Sequence, residues 1–392
     1  MKSTANRGKL SYFKYILKLC NFLGVATPKE STWWYRSFAV MGLVLEVCGA
    51  IISFFAKLNP VFDSYQTEIK IADEVANVFL TLAVATAEIQ MIAMYPGKLH
   101  EILDNLLKFD KNVGVNPRCR KLKTIFWISF PTALLIVPTI IILDSWVWLD
   151  SVSMDMYKYY VVRNIQYCQV CALIVFWFWL AIEILHRFSI LNGILETIRE
   201  TSLDHGKLSI VKDLTEEVEP VENGQDILEK VTEYHNFLCE VVNDVNDLFG
   251  LIILFFEIFV IGYVVQYTSV IILYTVLKEP MIDIRFRERL ALVSAAWIFV
   301  SGLKVVFLST AGHFVEKEAN RTIVICYNLI NNLKRRANYE RLKEELQDLS
   351  QQVARRNPRL TASGFFVINL TMLGCIVSSV TSYIIIALQF FK

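Results

Sequence analysis

What this 392-residue chain lacks is the equipment of catalysis. It has no phosphate-binding loop of the G-x-x-x-x-G-K type and no G-x-S-x-G nucleophile elbow. Its five His, at 100, 186, 205, 235 and 313, include no H-x-x-x-H pair that would present two ligands from one helix face. No catalytic residue, metal centre or cofactor is therefore expected. The eight Cys are scattered. Cys168 and Cys171 form a C-x-x-C, but within an apolar block, where small packed residues are the plain reading. None falls in an expected outer loop, so no disulfide staple is expected. A net charge of +1 leaves no basic surplus for nucleic acid. Internal repeats and low-complexity tracts are missing too. The basic first 36 residues carry no short apolar core with a small-residue cleavage site, so the first membrane span is expected to act as its own insertion signal.

What the chain does have is apolar length. Hydrophobic residues make up 55% of it, gathered in blocks of a size to cross a bilayer. About 20 helical residues cross a hydrocarbon layer of about 30 Å. The fold class is all-α, a polytopic membrane protein with seven transmembrane helices near 37–57, 75–95, 124–143, 160–185, 248–275, 290–311 and 364–390. The alternating loops differ in charge, with 29 Lys and Arg on one set and 7 on the other. Basic loops stay in the cytoplasm, which puts the amino terminus inside and the carboxyl terminus outside. That orientation is opposite to a G-protein-coupled receptor. Trp33, Trp34, Trp146 and Trp148 sit at span ends, where interfacial aromatics belong.

The inner loops are helical rather than slack. Phe188, Leu191, Leu195 and Ile198 recur at helical spacing, as do Ile227, Val231, Tyr234, Leu238, Val241 and Val245. Spans four and five should extend below the membrane and pack together. The organisation expected is a cytoplasmic segment 1–36, a six-helix bundle 37–311, a cytoplasmic anchor segment 312–363, and a seventh helix 364–392.

Charged residues inside spans are costly and therefore informative. Glu88, Glu257 and Lys304 lie at similar depth, and Lys304 is expected to neutralise one or both carboxylates. Glu46 is a candidate for the same layer. Span seven carries Thr371, Cys375, Ser378, Ser382, Ile385 and Gln389 at spacings that share one helix face. Such a stripe has two explanations, close helix packing or a watery axis shared by several copies.

Tyr383, five apolar residues and then Gln389-Phe390 resemble the signature of insect gustatory receptors, with Ser382 in place of the usual Thr. "AGHFVEKEANRT" after span six and "ASGFFVIN" before span seven are similar to the same family's carboxyl-terminal region. The resemblance implies a tetrameric, ligand-gated cation channel of the plasma membrane, homomeric or with other gustatory receptors. Helix seven would line the pore, with Gln389 and Phe390 as an outer gate and Tyr383 packed behind it. A small-molecule tastant would bind from outside among spans two to six. The candidates there are Thr81, Tyr160, Arg163, Asn164, Tyr167, Tyr263, Gln266, Tyr267 and Trp297, aromatic walls with a few hydrogen-bonding groups. The sugar-sensing branch carries Glu after the motif Tyr, whereas this chain has Ile384, which favours a bitter or other non-sugar tastant. The partners expected are that tastant, membrane lipid, permeating cations and further receptor subunits. No acidic ring in span seven accounts for a cation preference. A secondary transporter of a small organic solute is the alternative, with Pro131 and Pro138 its one hint.

Overall fold

The computed structural model describes residues 13–26, 33–57, 67–114, 120–151, 154–203, 224–275, 284–333 and 340–390. In chain order the helices are α1 Phe13–Phe22, α2 Trp33–Lys57, α3 Thr67–Glu88, α4 Lys98–Asn112, α5 Arg120–Ser151, α6 Met154–Tyr157, α7 Val161–Leu203, α8 Gly224–Thr275, α9 Ile284–Leu333, α10 Glu340–Arg356 and α11 Leu370–Phe390. A short hairpin, β1 Thr361–Ala362 with β2 Phe366–Val367, precedes α11. α3 continues beyond Glu88 as a π-helix over Ile89–Met94.

α2, α3 with its π-helical extension, α5, α7, α8 and α9 are each long and apolar enough to cross a membrane. The apolar run of α11, Leu370–Ile385, is shorter among the described residues. Each expected span thus coincides with a helix, but the seventh starts at Leu370 rather than 364. Ser363 and Gly364 take positive φ of 50° and 76°, which turns the chain into the hairpin instead of a helix.

α7, α8 and α9 run well past their expected spans, at 43, 52 and 50 residues. Where α7 and α8 overrun, the anticipated stripe packs. Phe188, Leu191 and Leu195 of α7 and Leu238, Val241 and Val245 of α8 are all buried. A separate apolar cluster joins Leu195, Leu228 and Val231 to Cys326 and Leu329 of α9 and to Leu342, Leu346, Leu349 and Val353 of α10. Buried Arg187 fastens the first of these layers, 2.8 Å from Asp110 of α4 and 2.6 Å from Glu183. Burying an ion pair stabilises only when further hydrogen bonds complete it, and the Leu106 and Glu183 carbonyls accept from the same guanidinium.

Candidate functional site

α11 is held at its root. The Asn369 carboxamide oxygen accepts from the Thr371 N–H at 3.0 Å and so caps the helix. Its amide nitrogen donates to Glu316 of α9, and Arg359 pairs with the same Glu316 at 2.9 Å. Gly312 of α9 lies directly under the Ile368 carbonyl, so close that a Cβ would collide with it. The hairpin is tied to α8 through Asn246, which bonds both the Arg359 carbonyl and the Thr361 N–H. The sequence blocks around residues 312 and 363 are thus the parts that seat α11.

Beyond that root, α11 leaves its own chain. Met372 is buried, and Leu373 and Ile376 pack against the core. Thr371, Cys375, Ser378, Ser382, Ile385 and Gln389 are all exposed. At 3.6 residues per turn the centre of that stripe lies about 150° around the helix from the packed face. Ser382 returns its hydroxyl to the Ser378 carbonyl at 2.9 Å, leaving both oxygens on the open side. Tyr383 lies off the stripe and is 56% exposed. The Phe390 side chain lies outside the described residues.

At the other end of the bundle, a cavity of about 300 Å³ opens between α2, α3 and α7. Of the expected ligand contacts, Thr81 and Arg163 line it, beside Ser53, Lys57, Glu74, Asn77 and Gln166. Thr81 bonds Gln166 at 3.1 Å, while Gln166 Nε2 and Asn77 Oδ1 have no partner among the described residues. Tyr160, another expected contact, does not line it but stacks against two lining residues, with Lys57 4.2 Å and Arg163 4.6 Å from its ring centre. The first span therefore contributes a wall that the sequence reading assigned to spans two to six.

Tyr167, Tyr263, Tyr267 and Trp297 meet in a closed aromatic cluster instead of lining that cavity. Tyr167 and Trp297 are 4.8 Å apart edge to face, Tyr263 and Tyr267 4.5 Å apart, and the two hydroxyls of the latter bond at 2.9 Å. Gln266 is buried, and Asn164 is turned to the Tyr157 hydroxyl at 2.8 Å.

Between cavity and cluster stands a charge network that sequence reasoning missed. Lys57 is 3.3 Å from Asp73 and 3.0 Å from Glu74, and Arg163 is 3.4 Å from Asp73 and 3.7 Å from Asp144. It joins α2, α3, α5 and α7. The signal was present in the spacing. Asp144 continues the buried stripe of Val137, Ile140 and Val147, and Asp73 that of Ala76, Leu80 and Ala83.

The expected meeting of Glu88, Glu257 and Lys304 does not occur. Lys304 donates to the Tyr167 hydroxyl and to Cys171 Sγ, 3.9 Å above the Tyr167 ring centre. Glu88 faces Gln169 and Glu46. Tyr167 and Cys171 are one turn apart on α7, and Gln169 points the opposite way, so α7 itself separates the cation from the carboxylate. Glu257 is buried with both oxygens unpartnered among the described residues. Of that layer, only the weaker candidate, Glu46, reaches Glu88.

Comparison with known proteins places this architecture. A family profile described as 7tm chemosensory receptor matches residues 13–391. A putative gustatory receptor 28b of Drosophila melanogaster is 26% identical over 168 residues, 42% of this chain but 34% of that protein, so the match spans about a third of the relative's length. The insect olfactory receptor OR5 from Machilis hrabei, solved in complex with eugenol, is 15% identical with a TM-score of 0.62, over 98% of this chain and 99% of that one. A second structure of OR5 gives 14% identity and the same TM-score over 97% and 98%. At such identity the likeness is one of fold. The chain belongs to the 7tm chemosensory receptor family, a family of multi-pass membrane proteins, in keeping with its long apolar helices.

Proposed function

We propose that the chain is the pore-forming subunit of a tastant-gated, non-selective cation channel, assembled as a tetramer with α11 of each copy around a common axis. The amino terminus lies inside the cell and the carboxyl terminus outside. The observation that carries this reading is the position of the hydroxyl-and-amide stripe, exposed and turned away from the protomer's own helices. One such stripe is too narrow to enclose a water path, whereas a ring of them encloses one. Gln389 and Phe390 form the outer constriction, and Tyr383 supports it. A ring of Phe side chains closes a pore by dewetting, and a small rotation of each helix reopens it.

The ligand is a small organic molecule of non-sugar type, entering from outside. A relative in fold was solved with eugenol, which supports a ligand of that general kind. Gln166 Nε2 and Asn77 Oδ1 offer one donor and one acceptor without a partner among the described residues, in a cavity whose charged groups Lys57, Glu74 and Arg163 are already paired. Arg163 lines that cavity and is fixed through Asp73 and Asp144. A ligand that prefers one arrangement of this network shifts the equilibrium by its difference in affinity for the two states. The buried contacts of α8 and α9 then carry the shift to the root of α11. The transporter reading draws no support from α5, which continues as helix through both Pro131 and Pro138.

Patch recording of the chain expressed alone, against a panel of tastants, tests this. Ligand-evoked cation current is expected, and Phe390→Ala is expected to raise current in the absence of ligand. Solute uptake without channel currents would favour the transporter.

A further inference from the structure

A second polar centre lies between α2, α3 and α7, about one helical turn along α7 from the cavity residue Gln166. The turn after α1 runs inward, with Gly24 at φ +78° and its Cβ position 3.8 Å from Glu88 Oε1. The Tyr35 hydroxyl pins this turn, 2.8 Å from the Asn21 carbonyl and 2.7 Å from that of Ala26. Against the turn converge Glu46 of α2, Glu88 of α3 and Gln169 of α7. Gln169 Nε2 lies 3.0 Å from the Leu23 carbonyl, 2.7 Å from Glu46 Oε1 and 3.5 Å from Glu88 Oε1.

That donor cannot satisfy its surroundings. A carboxamide nitrogen has two hydrogens, and here it faces three acceptors. Three further oxygens, Glu46 Oε2, Glu88 Oε2 and Gln169 Oε1, are buried with no partner among the described residues. Glu88 is 3% and Gln169 2% exposed, so water does not make up the deficit freely. The three cations within the spans described above are engaged elsewhere, Lys304 across α7 and Lys57 and Arg163 by Asp73, Glu74 and Asp144. The centre is therefore rich in oxygen and short of positive charge. Immediately after Glu88 the helix widens into its π-helical stretch; such stretches gather at functional sites.

We propose that Glu46, Glu88, Gln169 and the Leu23 carbonyl form a binding site for a hard divalent cation of the calcium type. Two carboxylates balance its charge. With each carboxylate bidentate, the carbonyl and the amide oxygen complete a set of about six oxygens, within the range calcium accepts on flexible side chains. Rotating the Gln169 amide by half a turn exchanges its donor for Oε1 and converts the residue from bridge to ligand. Magnesium, which demands a near-ideal octahedron at shorter distances, suits these long carboxylates less. The bound ion ties α1 and its turn to α2, α3 and α7. Two of the four ligands are neutral oxygens, which is why no metal motif shows in the sequence. This site stands apart from the pore reading, and the failure of either leaves the other intact.

The test is equilibrium binding of radioactive Ca2+ to the purified full chain in lipid nanodiscs, in potassium buffer. A saturable component of about one ion per chain is expected. Glu46→Gln and Glu88→Gln are each expected to weaken it by about tenfold or more, and Gln169→Leu by less. Should the variants misfold, the wild-type chain decides alone, because Ca2+ is expected to raise its thermal midpoint where equal Mg2+ does not. Absence of a saturable component, binding unchanged in the Glu variants, or a midpoint that responds to pH and not to Ca2+ would overturn the proposal. The last result would mean that the two carboxylates share a proton.

Discussion

α7 and α11 are both apolar helices of one bundle, yet they have opposite relations to it. Phe176, Trp177, Leu180, Ile184 and Phe188 of α7 are all buried, whereas α11 buries only Met372 among its described residues. Hydrophobicity alone does not distinguish them, since each is rich in Ile, Leu and Val. The difference is where the polar atoms go. Those of α7 are spent within the chain, in Gln166 to Thr81, Gln169 to Glu46 and Arg187 to Asp110. Those of α11 beyond its root turn to its own backbone and outward. α7 turns its polar groups inward, where Gln166 Nε2 and Gln169 Oε1 remain open among the described residues for something held within the protomer, whereas α11 turns its own toward something outside it.

The sharpest way to break that contrast is to truncate matched large residues. Trp177→Ala is expected to lower stability by about 3–5 kcal/mol, the cost of deleting a fully buried aromatic side chain. Tyr383→Ala, half exposed on α11, is expected to change it by no more than about 0.5 kcal/mol. Thermal unfolding of both variants in nanodiscs measures this, and equal losses would erase the distinction.

The next test lies at the joint between the two behaviours. Gly312→Ala places a methyl group against the Ile368 carbonyl, and overpacking of this kind costs about 1–3 kcal/mol. Ligand-evoked current should fall further than surface expression does, because the root of α11 is displaced. Expression and current falling in step would show the contact to be merely structural. A smaller loss, about 1 kcal/mol, is expected for Asn369→Ala, which removes the α11 cap; amide exchange in the first turn of α11 should report it.

The smallest energetic effect carries the most direct reading of the stripe. Cys375→Ser is expected to leave stability within about 0.5 kcal/mol. Current through the unaltered channel should be reduced by a charged thiol reagent, and the serine variant should resist it. Inhibition persisting in Cys375→Ser would move the reactive thiol elsewhere, with exposed Cys48 as the first alternative.

These two helices also show where sequence patterns stop. Apolar length and periodicity are local, so the first located the membrane spans and the second placed the α11 stripe on one face, since both need only the chain's own sequence. Which helix another faces is not local. Depth put Lys304 level with Glu88 and Glu257, but depth does not say that α7 stands between them. Asp73 and Asp144 were lost for a different reason. Each sits at the end of an apolar run, where a charge reads as the start of a loop, although each keeps the register of the buried stripe behind it. Of the cavity, Thr81 and Arg163 were legible as polar residues inside spans, while Lys57 and Ser53 required knowing that α2 closes the third side.

The unbroken course of α8 has its own mechanical meaning. At 1.5 Å per residue its 52 residues make a rod of about 78 Å, more than twice the thickness of the hydrocarbon layer it crosses. With no proline along it to act as a joint, a tilt of about 3° at one end swings the other by about 4 Å. Under the proposed function, a small shift of the cavity wall α3 would reach α8 through their contact and be magnified by leverage at the root of α11, without any refolding between them.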